Sequence, residues 1–193
     1  MTWPFRRKTN LAYRFLISSY AISTFSEGVI VPIYAVFVQD IGGDILDAGL
    51  AMGIFLITQG LFTMFFHKLK WNPRYRMLAM IGGWVVWLLG IILYLMVSNI
   101  MTLFLTQILT AIGNAIANPI FDEELSDHTD KEYEQFQWAI FEGGNDFMSG
   151  LAAILGGLIA SLFGFYALIW TMISAATLSL VIILFYVRRF KRI

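Results

Sequence analysis

An all-α integral membrane protein with six transmembrane helices is what this sequence predicts, on three observations. Of its 193 residues, 59% are hydrophobic and 13% are charged, against about 45–50% and about 25% in a soluble domain. The apolar residues gather in blocks of about 20, the length that crosses a bilayer, and the mean hydropathy is +0.73. The formal net charge is zero, with 13 basic and 13 acidic residues, yet all the basic residues fall at the two ends of the chain or at alternate junctions between the blocks, on one side.

Taken in order, the blocks lie at 12–38, 46–67, 76–98, 100–122, 136–161 and 165–187. The first follows "MTWPFRRKTN", a basic start of the kind that opens a signal peptide. Its apolar run is too long for one and ends without a small-residue cleavage site, so an uncleaved first helix is expected. The separators carry turn and loop chemistry: "QDIGGD", "KWNPRYR", "VSN", the charged "DEELSDHTDKEYEQ" and the short "SLFGF". Arg6, Arg7, Lys8 and Arg14 precede or open span one, and Lys68, Lys70, Arg74 and Arg76 separate spans two and three. Lys131 separates spans four and five, and Arg188, Arg189, Lys191 and Arg192 follow span six. The loops on the other face hold only Asp40, Asp44 and Asp47. By the positive-inside rule both termini are expected to be cytoplasmic, in a multi-pass protein of the cell membrane. Trp3, Trp71 and Trp138 fall where interfacial anchors belong. The chain has no cysteine, which excludes disulfide, thiolate and iron–sulfur chemistry.

"VPIYAVFVQD" (31–40) can be set over "NPIFDEELSD" (118–127). Pro32 then matches Pro119, Ile33 matches Ile120, Tyr34 meets Phe121 and Asp40 meets Asp127. Each stretch ends the first span of a set of three. Span one runs outward and span four inward, so a 3+3 inverted repeat is expected, about 12–98 and 100–187, within a single domain 1–193.

The stretch "EGVIVPIYAVFVQDIGGDILDAGLAMGIFLITQGLF" resembles the first two spans of major facilitator transporters: a Pro late in span one, a short acidic Gly-containing loop, then a Gly-rich second span. "LFLTQILTAIGNAIANPIFDEELSDHTDKE" and "GLAAILGGLIASLFGFYALIW" are similar to their spans four to six. The likeness covers nearly the whole chain, as one six-span half of a twelve-span transporter, and such halves are built as 3+3 inverted repeats. "FHKLKWNPRYR" keeps the basic residues of the family's signature between spans two and three and lacks its Gly and Asp. "AAILGG" keeps the Gly pair of the span-five antiporter signature, Gly156 and Gly157, with Ala152 and Ala153 where Gly and Pro stand. The resemblance implies that helices one and four line a central cavity, two and five border it, and three and six are peripheral.

The polar residues fit that plan. A charge at mid-membrane costs about 2.5–3.5 kcal/mol on insertion scales, and Glu27 sits in the middle of span one. Tyr20, Ser23, Thr24 and Tyr34 share its helical face. Span five carries the stripe Glu142, Asn145, Asp146 and Ser149, span four carries Gln107, Thr110, Asn114 and Asn118, and span two carries Thr58 and Gln59. Spans three and six have no ionisable interior residue. Gln59 and Gln107 are weighed first as glue between helices, and Gly82, Gly83, Gly150, Gly156 and Gly157 as sites of close packing. His67 reads as an interfacial residue, and Asp122, Glu123 and Glu124 read as part of a solvated segment. Glu27, Glu142 and Asp146 lack a Lys or Arg at their depth and are read as functional, with proton coupling their expected role. The substrate-binding candidates are Tyr20, Ser23, Thr24, Tyr34, Gln59, Gln107, Asn114, Asn118 and Asn145.

Desolvation brings a carboxylate into the range where it exchanges a proton near neutral pH. Carboxylates among aromatics, with no basic partner, suit a lipophilic cation. The leading expectation is proton-coupled export of a small, lipophilic cationic solute, by alternating access in a parallel homodimer. The partners expected are a second copy, the solute, protons and lipid, with no nucleic acid, cofactor or metal. The alternative is a non-transporting assembly or sensor subunit derived from a transporter half. An enzyme is not expected: there is no H-E-x-x-H, no G-x-S-x-G and no phosphate-cradling loop.

Overall fold

The computed structural model describes residues 10–68 and 72–191. Trp3, Arg6, Arg7, Lys8, Lys70, Trp71 and Arg192 lie outside the described residues. Helix α1, Leu11–Gly28, starts where the Asn10 side chain accepts a hydrogen bond from the Tyr13 N–H at 2.7 Å. Pro32 has no N–H to continue the helix, so a 3₁₀ turn, Val31–Ile33, links α1 to α2, Tyr34–Asp40. The expected first span is therefore two helices on either side of a break. Gly42, at φ +87°, turns the chain into α3, Ile45–Lys68. Asp44 and Asp47 side chains accept from each other's N–H groups at the start of α3.

Helix α4 is Pro73–Leu93, extended by a 3₁₀ turn, Tyr94–Met96. Helix α5, Ile100–Asp127, begins in a reciprocal cap between Asn99 and Thr102 and carries Pro119 inside it. Helix α6, Glu134–Phe190, takes in both of the last two expected spans. Only Gly164 leaves helical geometry, at φ +78° and ψ 176°, a conformation that is almost confined to glycine. "SLFGF" holds no Pro and no charge, so this break is a single residue rather than a loop. Five helical stretches are long and apolar enough to cross a membrane: Leu11–Asp40, Ile45–Lys68, Tyr75–Met96, Ile100–Asp127 and Glu134–Phe190. No strand occurs among the described residues.

In hydrocarbon, helices associate through close packing and interhelical hydrogen bonds, and both are present. Helix α1 lies against α6 on each side of the break. Tyr13 Oη donates to the Gln137 carbonyl at 2.6 Å, Ser26 Oγ to the Met172 carbonyl at 2.8 Å, and Ser179 Oγ to the Ser19 carbonyl at 2.6 Å. The Val29 carbonyl presses on Gly156 so closely that no Cβ fits there. Helix α4 approaches α5 in the same way: a Cβ on Gly83 would stand 2.8 Å from the Ala117 nitrogen, and Gly113 abuts the Trp87 main chain. Helix α3 packs on α5. Packing accounts for Gly83 and Gly156 but not for Gly82, Gly150 and Gly157, whose absent Cβ atoms would meet nothing within 4 Å.

Candidate proton and substrate site

Glu27 stands one residue before the end of α1, where the chain yields to the Pro32 break. Trp87 Nε1 of α4 donates to its Oε1 at 2.5 Å, and Asn114 Nδ2 of α5 donates to the same oxygen at 3.1 Å. No Lys, Arg or His forms an ion pair with it among the described residues. The carboxylate thus lies among neutral donors, and three helices meet at it.

Two cavities share Glu27. The first, about 40 Å³, is lined by Tyr20, Ser23 and Thr24 of α1, Asn114, Ala117 and Asn118 of α5, and Trp84 and Trp87 of α4. The second, about 130 Å³, is lined by Ile30, Val31 and Tyr34, by Met52 and Phe55 of α3, by Ile91, Tyr94, Gln107 and Thr110, and by Met172. Gln107 Nε2 donates to Tyr34 Oη at 2.5 Å within it, and Tyr94 Oη lies 3.4 Å from Gln107 Oε1. At 1.5 Å per helical residue, the first cavity runs from Glu27 toward the end of the bundle where Asn10 bonds the His128 carbonyl and Phe15 meets Phe190. The second runs toward the opposite end.

Of the expected site residues, Glu27, Tyr20, Ser23, Thr24, Tyr34, Gln107, Asn114 and Asn118 are brought together around these cavities. Gln59 is half-buried on α3 and lines neither. Glu142 and Asp146 are exposed on the outer face of α6, with Asn145 half-buried beside them. The structure corrects the expectation that span three is peripheral, since α4 and the 3₁₀ turn that extends it supply Trp84, Trp87, Ile91 and Tyr94 to the two cavities. Trp87 was not singled out by the sequence, because an indole in an apolar span reads as core.

A second correction concerns Glu124, expected to be solvated. It is fully buried. Lys191 Nζ reaches its Oε1 at 2.6 Å, Arg76 Nη2 its Oε2 at 3.1 Å, and Tyr186 Oη donates to Oε1. His128, one turn on, adds a contact at 3.4 Å. Arg76 also pairs with the exposed Glu123 and with Asp127. Burial is tolerable because cations and a hydroxyl satisfy both oxygens.

Apolar helices of spanning length, packed around a partly polar interior that holds two cavities, define an integral membrane protein of the transporter class. The family model of the Major Facilitator Superfamily matches residues 16–192, and the chain belongs to that superfamily of membrane transporters. It superposes on a solved structure, "Crystal structure of auto inhibited POT family peptide transporter", with a TM-score of 0.79 and 17% identity. The match covers 95% of this chain and 38% of that one, so this chain spans less than half of the peptide transporter's length. A search of curated proteins gives no match.

Proposed function

We propose that the chain is a proton-coupled secondary transporter that exports a small, lipophilic cationic solute and works as a parallel homodimer. One observation carries the reading: Glu27, an acid inside a spanning segment, is held by neutral donors alone and opens into two cavities. An intramembrane carboxylate without a cationic partner is a site for a proton or a cationic ligand. A site that holds one or the other, and not both, couples their movements. A cavity of about 150 Å³ takes up benzene, so the second cavity, at about 130 Å³, is of the size to seat part of an aromatic cation such as one ring of ethidium, with its positive charge toward Glu27. The reading takes α6 as two crossings joined at Gly164. That makes six spans in a 3+3 arrangement, within one domain and with both termini cytoplasmic. Glu142 and Asp146 are its second acidic element, and Asn145 of α6 and Gln59 of α3 complete its proposed substrate-binding set.

The test is purified protein in liposomes under an imposed pH gradient, with ethidium as the probe cation. Glu27→Gln is expected to abolish gradient-driven ethidium movement while leaving folding intact, since it removes a costly charge. Undiminished movement both in Glu27→Gln and in Glu142→Gln/Asp146→Asn would falsify proton coupling through these groups.

A further inference from the structure

The register that sets Pro32 on Pro119, continued toward the amino terminus, sets Glu27 on Asn114, Tyr20 on Gln107 and Tyr34 on Phe121. These residues meet as the members of an inverted pair would. Glu27 and Asn114, counterparts of one another, bond directly at 3.1 Å. Tyr20 stacks on Phe121 with ring centroids 4.8 Å apart. Exchanging each for its counterpart gives Gln107 and Tyr34, which bond at 2.5 Å. The cavities obey the same exchange: Tyr20, Ser23, Ala117 and Asn118 of the first become Gln107, Thr110, Ile30 and Val31, and all four line the second.

We propose that Glu27 and Asn114 form one junction on a two-fold axis in the membrane plane, where a single carboxylate takes up a proton from one face through the first cavity and from the other face through the second. This rests on the proton-coupled reading above, and adds the route by which the proton arrives and leaves. The step is the addition of one proton to a carboxylate to give the acid. Both bonds from Trp87 and Asn114 end on Oε1, so the proton goes to Oε2, which accepts no hydrogen bond among the described residues. Because the two positions are equivalent about the axis, a carboxylate on α5 in place of α1 stands at the same junction. Trp87 stays beside it, since its main chain packs on Gly113, the neighbour of Asn114.

The test compares wild type, Glu27→Asn and Glu27→Asn/Asn114→Glu in liposomes, in three measurements. Ethidium movement under a pH gradient is expected to be lost in Glu27→Asn and regained in the double variant. Dicyclohexylcarbodiimide, which adds to protonated carboxyls within membranes, is expected to modify residue 27 in wild type and residue 114 in the double variant, with the same pH dependence. The third measurement leaves the junction intact: the counterparts Asn118→Cys and Val31→Cys, in this cysteine-free chain, are exposed to a membrane-impermeant thiol reagent. Asn118→Cys is expected to react only from the face of the termini and Val31→Cys only from the opposite face. Reaction of both from one face overturns the proposal, even if the double variant does not fold. A folded double variant that is neither active nor modified at residue 114 overturns it equally. If wild type moves no ethidium, the transport reading fails, and the carbodiimide and thiol results still decide the junction.

Discussion

Glu27 and Glu124 are two acids taken out of water by opposite means. Glu124 is held by Arg76, Lys191 and Tyr186, drawn from α4, α6 and the residue after it, and so ties these elements to α5. Among the described residues, Glu27 has only an indole and an amide. The first arrangement suits a fixed charge and the second a charge that comes and goes. Removing one partner of a buried ion pair leaves the others uncompensated, at about 3–5 kcal/mol. Glu124→Ala is expected near the lower end, about 3 kcal/mol, because Arg76 and Lys191 keep 22% and 32% of their side chains exposed. Glu124→Gln is expected to lose less, since an amide oxygen still accepts from Tyr186. Thermal unfolding in detergent measures both, and an unchanged midpoint for Glu124→Ala would show that the cluster adds nothing to stability. Glu27 was legible from the sequence because a lone acid in an apolar run has few innocent explanations. Glu124 was not, because its partners lie at residues 76, 186 and 191 and only the fold assembles them. Trp87 was not legible for a related reason: its polar tip matters only once the fold brings it within hydrogen-bond reach of Glu27.

The glycines separate two kinds of helix surface. Gly156 and Gly83 face a neighbouring backbone at distances that leave no room for a methyl group, whereas Gly150 and Gly157 face open space. Adding an atom to a packed contact costs about 1–3 kcal/mol. In an open helix interior, Gly to Ala instead gains about 0.5–1 kcal/mol. Gly156→Ala is therefore expected to lower the unfolding temperature in detergent and Gly157→Ala to hold or raise it; the same sign for both would contradict this assignment of faces. Gly164→Ala belongs with the first group for another reason. The non-helical φ of +78° at Gly164 strains any side chain, at about 1–3 kcal/mol. Helix positions were readable from apolar blocks and loop chemistry because both are local signals. The 3₁₀ break at Val31–Ile33 and the near-continuity of α6 were not, since one Pro and one Gly produce very different interruptions depending on what packs beside them.

At the scale of the whole molecule, the outstanding feature is the outer face of α6. Asp146 lies about 18 Å along α6 from its start at Glu134, well within a hydrocarbon layer about 30 Å thick, and it is exposed together with Glu142. Facing lipid, each such acid costs about 2.5–3.5 kcal/mol near mid-membrane, and a Cβ on Gly150 or Gly157 beside them would meet nothing within 4 Å. The proposed second copy would remove both difficulties. Major facilitator halves are related by an axis along the membrane normal, and the proposed six spans, an even number, would leave both copies in the same orientation, so two chains could take the places of two halves without inverting either. Glu142 and Asp146 of each copy would then face a shared hydrated cavity instead of lipid. This requires the termini and the segment around Lys131 to lie on one side. Lys131→Cys is expected to react with an impermeant thiol reagent only from the side of the termini, and reaction from the other side would remove the six-span basis of the dimer. Given that orientation, single-molecule photobleaching of one dye per chain in liposomes is expected to show two steps, and Gly157→Ala is expected to reduce the two-step fraction without destabilising the monomer. One-step bleaching in vesicles that still move ethidium would refute the dimer, and the exposure of Glu142 and Asp146 would then need another explanation.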